Sequence, residues 1–286
     1  MKRTIAVLSD IHANHFALEA ALRVVAEVHP DNLLFLGDYV TDCPYPQKTM
    51  ALLAQARETY SCGFIRGNRE DYLLARRSNP DNGWQDSSST GSLLYTYRNL
   101  TSDDLDFFAS MPICADYTFH DCPTFTACHA TPFRSKEWMP GNESLLCRSL
   151  RAVRGNLLLC GHTHETAEER RFGKTALFCP SVGIPQDRGN SYGVTVLTCE
   201  NSRWTYEMLP VSYDIDAAVA EFSESGLLEL SKVWALCIIG DLREKRNYAA
   251  SCVRIAWRIA KESGYTGNGP LPESCWVAAA EELRLL

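Results

Sequence analysis

The 286-residue chain has no apolar run that approaches the ~20 residues a membrane span requires. Near its start, Ile5-Ala6-Val7-Leu8 is the only apolar stretch before Ser9-Asp10, too short for the core of a secretory leader. A membrane partner is therefore not expected, and the cytoplasm is the expected address. The 12 cysteines include no C-x-x-C pair, which excludes a zinc ribbon and a thioredoxin motif. They are too sparse for a secreted disulfide scaffold, and Cys128, Cys160 and Cys179 sit in apolar, strand-like runs; free buried thiols are expected. Basic charge is also scarce: 28 Lys and Arg against 35 Asp and Glu leave a net −7. That excludes nonspecific binding of long nucleic acid, which needs a basic surplus. A small phosphorylated ligand is not excluded. Internal repeats and low-complexity tracts are missing too.

What is present begins as alternating β and α units. Thr4–Leu8 reads as a buried strand, and Asn14 as the cap of a helix running to about Val28, with Leu18, Ala21, Leu22, Val25 and Val28 on one face. Leu33–Leu36 reads as a second strand, Pro46 as the first residue of a second helix, and Ser61–Ile65 as a third strand. This order implies a parallel sheet with right-handed crossovers. Residues 71–112 break the pattern, being rich in Ser, Asn and Asp, with a helix expected only from Thr101 to Pro112. Ile113–His120 and Thr124–Cys128 then flank a turn at Asp121-Cys122-Pro123. Further strands are expected at Leu157–Cys160, Ala176–Cys179, Gly193–Thr198 and Arg203–Leu209. Beyond Pro210 the chain reads as helical: Asp214–Ser225, one long helix over about Leu227–Lys261, a linker over Gly264–Pro272, and Glu273–Leu286. The expected organisation is an α/β domain over 1–210, with an insertion at 71–112, and a helical extension over 211–286.

The functional signal lies at the strand ends. Asp10-x-His12 follows the first strand, Gly37-Asp38 the second, Gly67-Asn68 the third. His129 follows Cys128, and His162-Thr163-His164 follows Cys160-Gly161. Ligands of open α/β sheets bind beyond the carboxyl ends of strands. A single D-x-H or G-D pair is common by chance, and an Asp after a strand often caps the next helix. Five strand ends in succession, taking four of the seven His, are not explained that way. Carboxylate, imidazole and amide oxygen together suit Mn, Fe or Zn. Two such ions ~3.5–4 Å apart can activate a water and clamp a phosphate.

The ordered series D-I-H (10–12), G-D (37–38), G-N-R-E (67–70), C-H-A-T-P (128–132) and G-H-T-H (161–164) resembles the calcineurin-like metallophosphoesterase superfamily, and most of all its compact bacterial and archaeal branch. The stretch Pro180-Ser181-Val182-Gly183-x-Pro185-x-Asp187 is similar to a late motif of that branch. The resemblance spans about residues 1–210. It implies a four-layer α-β-β-α sandwich with two divalent metal ions at its rim. Asp10, His12, Asp38 and His164 would bind the first ion. Asp38, Asn68, His129 and His162 would bind the second, with Asp38 bridging. Asp38, Asn68 and His129 would stand at the catalytic centre of a phosphoester hydrolase. Branch members act as phosphodiesterases, phosphatases or dinucleoside polyphosphate hydrolases.

One position departs from the superfamily pattern. Its third motif is often G-N-H-[DE], where the His serves as acid or hydrogen-bond donor; here Arg69 stands in that slot. A guanidinium cannot deliver a proton at neutral pH but can clamp a phosphate oxygen. Arg69 therefore either stabilises charge at the substrate or points away. Asn14 is either the helix cap or a phosphate contact. A small phosphodiester or nucleotide phosphoanhydride is the expected substrate, with a protein phosphatase and a catalytically retired binding scaffold as alternatives.

Overall fold

The computed structural model describes residues 2–184, 186, 193–267 and 269–286. Pro185 and Asp187 of the late motif lie outside the described residues. Two five-stranded mixed sheets pack face to face. The first runs β10 (Arg203–Pro210), β9 (Gly193–Glu200), β1 (Arg3–Leu8), β2 (Asn32–Phe35), β3 (Cys62–Phe64). The second runs β4 (Cys114–Tyr117), β5 (Phe125–Cys128), β6 (Leu157–Cys160), β8 (Lys174–Phe178), β7 (Ala167–Arg171). β1, β2 and β3 are parallel, as are β5, β6 and β8, so both sheets send carboxyl ends to one rim.

Strand periodicity builds the layers. Along β1, Ile5 and Val7 face the second sheet and meet Phe125, Leu159 and Leu177. Ala6 and Leu8 face the other way, onto α1 (His15–Val28), α2 (Pro46–Thr59) and α5 (Ser102–Ser110). On the second sheet Leu158 and Cys160 turn outward onto Leu146 and Leu150 of α6 (Glu143–Ala152). Period-two side-chain alternation thus gives the expected α-β-β-α order.

Two stretches differ from the sequence reading. Residues 71–112 hold two further helices, α3 (Asn68–Ser78) and α4 (Gly91–Arg98), besides α5. The capping acceptor of α3 is Glu70, inside the helix, so its start carries no ordinary Ser or Thr signal. The long helix expected over Leu227–Lys261 is three: α8 (Leu227–Ser231), α9 (Val233–Glu244) and α10 (Tyr248–Glu262). Lys232 breaks it at φ 49°, ψ −121°, and Lys245 at φ 52°; Asn247 then caps α10 by accepting from Ala250 N at 2.8 Å. No Gly or Pro marks either break, and apolar residues on both sides feed one core, so periodicity runs through them. The helices α7 (Ile215–Glu224) to α11 (Glu273–Glu282) close around Phe222, Ile238, Cys252, Ala256 and Trp276. No helix among the described residues is long and apolar enough to cross a membrane. All 12 cysteines carry free thiols.

Candidate metal centre

Five connections deliver polar side chains to the shared rim. Asp10 and His12 follow β1, Asp38 follows β2, and Asn68 opens α3 after β3. His129 follows β5, and His162 and His164 follow β6. The loops approach too closely for side chains at their turning points. A Cβ on Gly67 would sit 2.2 Å from Asp38 Oδ1, and one on Gly161 2.0 Å from Ser9 Oγ. That is why glycine precedes the polar residue at these turns. The backbone is strained at the polar residues themselves: Asp10, His12, Asp38, His162 and His164 all have φ between 52° and 67°. Left-handed non-glycine residues persist where surrounding contacts over-determine them, and they gather at functional sites.

Two groups form. Asp10, His12 and His164 make one; Asp38, His129 and His162 make the other. Within each, one ligand atom per residue lies within 4.8 Å of the others. Asp38 reaches both: Oδ2 lies 3.8 Å from His12 Nε2, and Oδ1 lies 3.4 Å from His129 Nε2. Asn68 Oδ1 joins the second group, 3.2 Å from His129 Nε2.

These side chains fit divalent cations better than they fit each other. His129 donates Nδ1–H to Leu36 O and His164 donates Nδ1–H to Ile184 O, both at 2.7 Å. His12 Nδ1 lies 3.0 Å from Asp42 Oδ2. Each ring therefore turns its Nε2 lone pair inward, as outer contacts do for metal-binding imidazoles. His12 Nε2 and His164 Nε2 end only 3.0 Å apart. Asp10 Oδ2 accepts from Ser9 Oγ and His162 N, while the buried Oδ1 has no hydrogen-bond donor. Without a cation, protons must hold this cluster together. Burial alone would raise the Asp10 and Asp38 carboxyls, but the imidazoles override it. Asp10 falls far below the carboxylate range, and Asp38 to about 2. Burial works against charged His129 as well; the two carboxylates nonetheless push it up to about 10, whereas less strongly paired His162 drops to about 4.

A second set of contacts holds the loops. Glu70 is fully buried; Oε2 accepts from Asp38 N and Gly67 N, and Oε1 from Tyr39 N, each at 2.9 Å. One carboxylate thus ties the Asp38 loop to the Asn68 loop. Asp42, missed in the sequence reading, is a junction. Its Oδ1 accepts from Trp234 Nε1 at 2.8 Å, and its Oδ2 lies 2.9 Å from Arg69 Nη2. Burial would raise its carboxyl, yet Arg69 and His12 keep it well below the usual range. The available signal was a second Asp four residues after Asp38.

Arg69 faces the centre. Its backbone N–H donates to Asp38 Oδ1 at 2.9 Å, and its guanidinium lies 6.0 Å from the Trp234 ring. Asn14 is spent within the fold: Oδ1 accepts from Ala17 N, and Nδ2 donates to Gly183 O and to Tyr213 Oη. The structure thus uses Asn14 as the helix cap and leaves no amide proton for a phosphate.

A cavity of about 410 Å³ opens over the two groups. His12, Asn68, Arg69, His162 and His164 form its floor, while Trp234, Ile238, Asp241, Asn247 and Ala250 form a wall from α9, α10 and their connection. Another cavity, of about 230 Å³, opens at the amino end of β6 beside Trp204 and contains none of the clustered residues.

The calcineurin-like phosphoesterase family model matches residues 3–166, more than half of the chain and all seven clustered side chains. The chain belongs to that family, whose members are hydrolases of phosphate esters. It is 25% identical over 246 residues to an uncharacterized protein of Methanocaldococcus jannaschii, covering 80% of this chain and 96% of the relative. A metallophosphoesterase from Sphaerobacter thermophilus shares the fold at TM-score 0.64 and 20% identity, covering 84% of this chain and 99% of that one. A hypothetical protein from Pyrococcus horikoshii does so at TM-score 0.67 and 19% identity, covering 81% and 97%.

Proposed function

We propose that this chain hydrolyses a small phosphodiester or nucleotide phosphoanhydride, a dinucleoside polyphosphate being the preferred class, in a site that holds two divalent cations. Asp10, His12, Asp38 and His164 would hold one cation, and Asp38, Asn68, His129 and His162 the other, Asp38 bridging. Their mixed nitrogen and oxygen donors favour Mn, Fe or Zn. Such ions supply an activated water and neutralise charge on the phosphate.

The observation that carries the reading is Arg69, held by Asp42 and turned into a walled cavity. A guanidinium can pair two phosphate oxygens and stabilise charge that grows during displacement. It cannot protonate a departing alkoxide. A nucleotide phosphate departs as a stable anion and needs no proton, so anhydrides and activated diesters suit this floor. The wall formed by α9 and α10 narrows the approach that a polypeptide substrate would need, which weighs against a protein phosphatase. All seven clustered side chains are present and aimed together, which weighs against a retired scaffold. Twelve free thiols agree with a reducing compartment, and we place the protein in the cytoplasm.

The test is a substrate panel at fixed Mn²⁺, comparing kcat/KM for diadenosine tetraphosphate, an aryl phosphodiester, an aryl phosphomonoester and a phosphoserine peptide. The tetraphosphate and the diester should lead. A phosphopeptide hydrolysed best would replace this reading with the protein phosphatase; no hydrolysis of any of them would favour the scaffold.

A further inference from the structure

A third cavity, of about 300 Å³, adjoins the one over the clustered residues. Asp42, Arg69 and Trp234 line both, so the two cavities meet at these three residues. This chamber is built differently from the one over the clustered residues. Four aromatic side chains line it: Tyr72 of α3, Trp234 of α9, Trp257 of α10 and Trp276 of α11. Ser88, Ser89 and Ser92 add hydroxyls.

Its rings are fixed before any ligand arrives. Trp234 and Trp276 meet edge to face, with centroids 6.2 Å apart and planes at 89°. Trp234 Nε1 donates to Asp42 Oδ1 at 2.8 Å, and Trp276 Nε1 to Ser89 Oγ at 3.0 Å. Both indole N–H groups are therefore occupied, which prevents the rings from turning. Trp276 is buried, and Trp257 is 41% exposed.

We infer that this chamber is the subsite for a nucleobase of the substrate; the inference rests on the proposed phosphoesterase reading and adds the site that selects the ligand. Fixed aromatic faces bind planar rings in a way that tolerates base identity. Ser88 and Ser92 already donate to Glu273 and Asp42, whereas Ser89, which accepts from Trp276 Nε1, keeps a hydroxyl proton for an acceptor on the edge of a base. Charge argues against a quaternary ammonium ion, the other common guest of aromatic enclosures. Asp42 is already paired with Arg69, and Lys136 lies 5.0 Å from the Tyr72 ring, so a cation would enter beside two cations. An anionic chain carrying an aromatic ring suits both features. Arg69 stands between the chambers, where the phosphates joining the base to the reacting phosphorus would pass.

The test uses the full protein with Mn²⁺ and two lining variants outside the clustered site. Trp257→Ala removes an exposed ring, and Val253→Phe fills the chamber from α10. Adenosine, which carries no phosphate, probes the chamber alone by calorimetric titration. Wild type should bind it saturably, and each variant about tenfold more weakly. Both variants should raise KM for diadenosine tetraphosphate about tenfold, while turnover of inorganic tripolyphosphate stays within about twofold. Thermal melts confirm folding, and Trp257→Ala alone suffices if Val253→Phe melts early. No adenosine binding by a wild type that hydrolyses tripolyphosphate or an aryl diester overturns the subsite and leaves the phosphoesterase reading intact. Equal losses on both substrates in Trp257→Ala also overturn it. Adenosine binding that Trp257→Ala weakens, in a protein that hydrolyses no phosphate compound, keeps the subsite and removes the phosphoesterase reading.

Discussion

Trp234 Nε1 donates to Asp42 Oδ1 at 2.8 Å, joining helix α9 of the carboxyl-terminal region to a loop of the sandwich. The other oxygen of that carboxylate lies 3.0 Å from His12 Nδ1 and 2.9 Å from Arg69 Nη2. One buried side chain thus sets the ring orientation of His12, the direction of Arg69 and the position of the cavity wall.

Asp42→Asn should therefore act on chemistry and binding together. Removing a carboxylate behind a metal-binding imidazole costs about 10–100-fold in metal affinity or activity. Metal titration and kcat/KM should both fall in that range, and the aromatic emission of Trp234 should shift. Unchanged metal affinity would show that Asp42 does not orient His12.

Asp38→Asn should be more severe. Asp38 reaches both groups of clustered side chains, so losing its charge should lower occupancy of both ions and reduce activity by orders of magnitude. Asp106→Asn is the control, an exposed carboxylate paired with Arg77, and should leave metal content and turnover unchanged. Metal analysis of protein purified without chelator reads both; equal losses would refute the bridging role.

Arg69→His tests the leaving-group argument. An imidazole in this slot can deliver a proton, so the gap between diadenosine tetraphosphate and a phosphoserine peptide should narrow. Anhydride hydrolysis should weaken as the guanidinium contact is lost. A gap that stays constant would mean that Arg69 does not govern leaving-group preference.

Glu70→Gln should destabilise the loops. Three backbone N–H groups converge on the buried Glu70 carboxylate, and an amide cannot accept from all of them. The expected cost is about 1–3 kcal/mol, read as a lower Tm. A melt identical to wild type would show that the loops are held otherwise.

Thiol counting in denaturant should find all 12 cysteines free. A disulfide in freshly isolated protein would contradict the cytoplasmic placement.

The strand ends were legible because short apolar runs such as Leu157–Cys160 stop abruptly at metal-type side chains, and a period of two needs no distant information. The same locality hid other features. Which way Arg69 points is decided by Asp42 and Trp234, which meet it only in the folded chain. The breaks at Lys232 and Lys245 lack Gly and Pro, and the apolar stripe continues through them, so three helices read as one. Asn14 could be read as cap or contact until Gly183 and Tyr213 appeared beside it.

The carboxyl-terminal helices pack around a hydrophobic cluster that takes in Ala13, Cys43, Tyr95 and Ile184, and so meets the ligand-bearing loops along a seam. Substitutions well away from that seam should combine with changes among the clustered residues almost additively. Reaction and clientele thus rest largely on different elements, joined where Trp234 meets Asp42. A lineage could rebuild α10 and α11 around a new guest, keeping Trp234 on α9, while the hydrolytic machinery passed unaltered from parent to descendant.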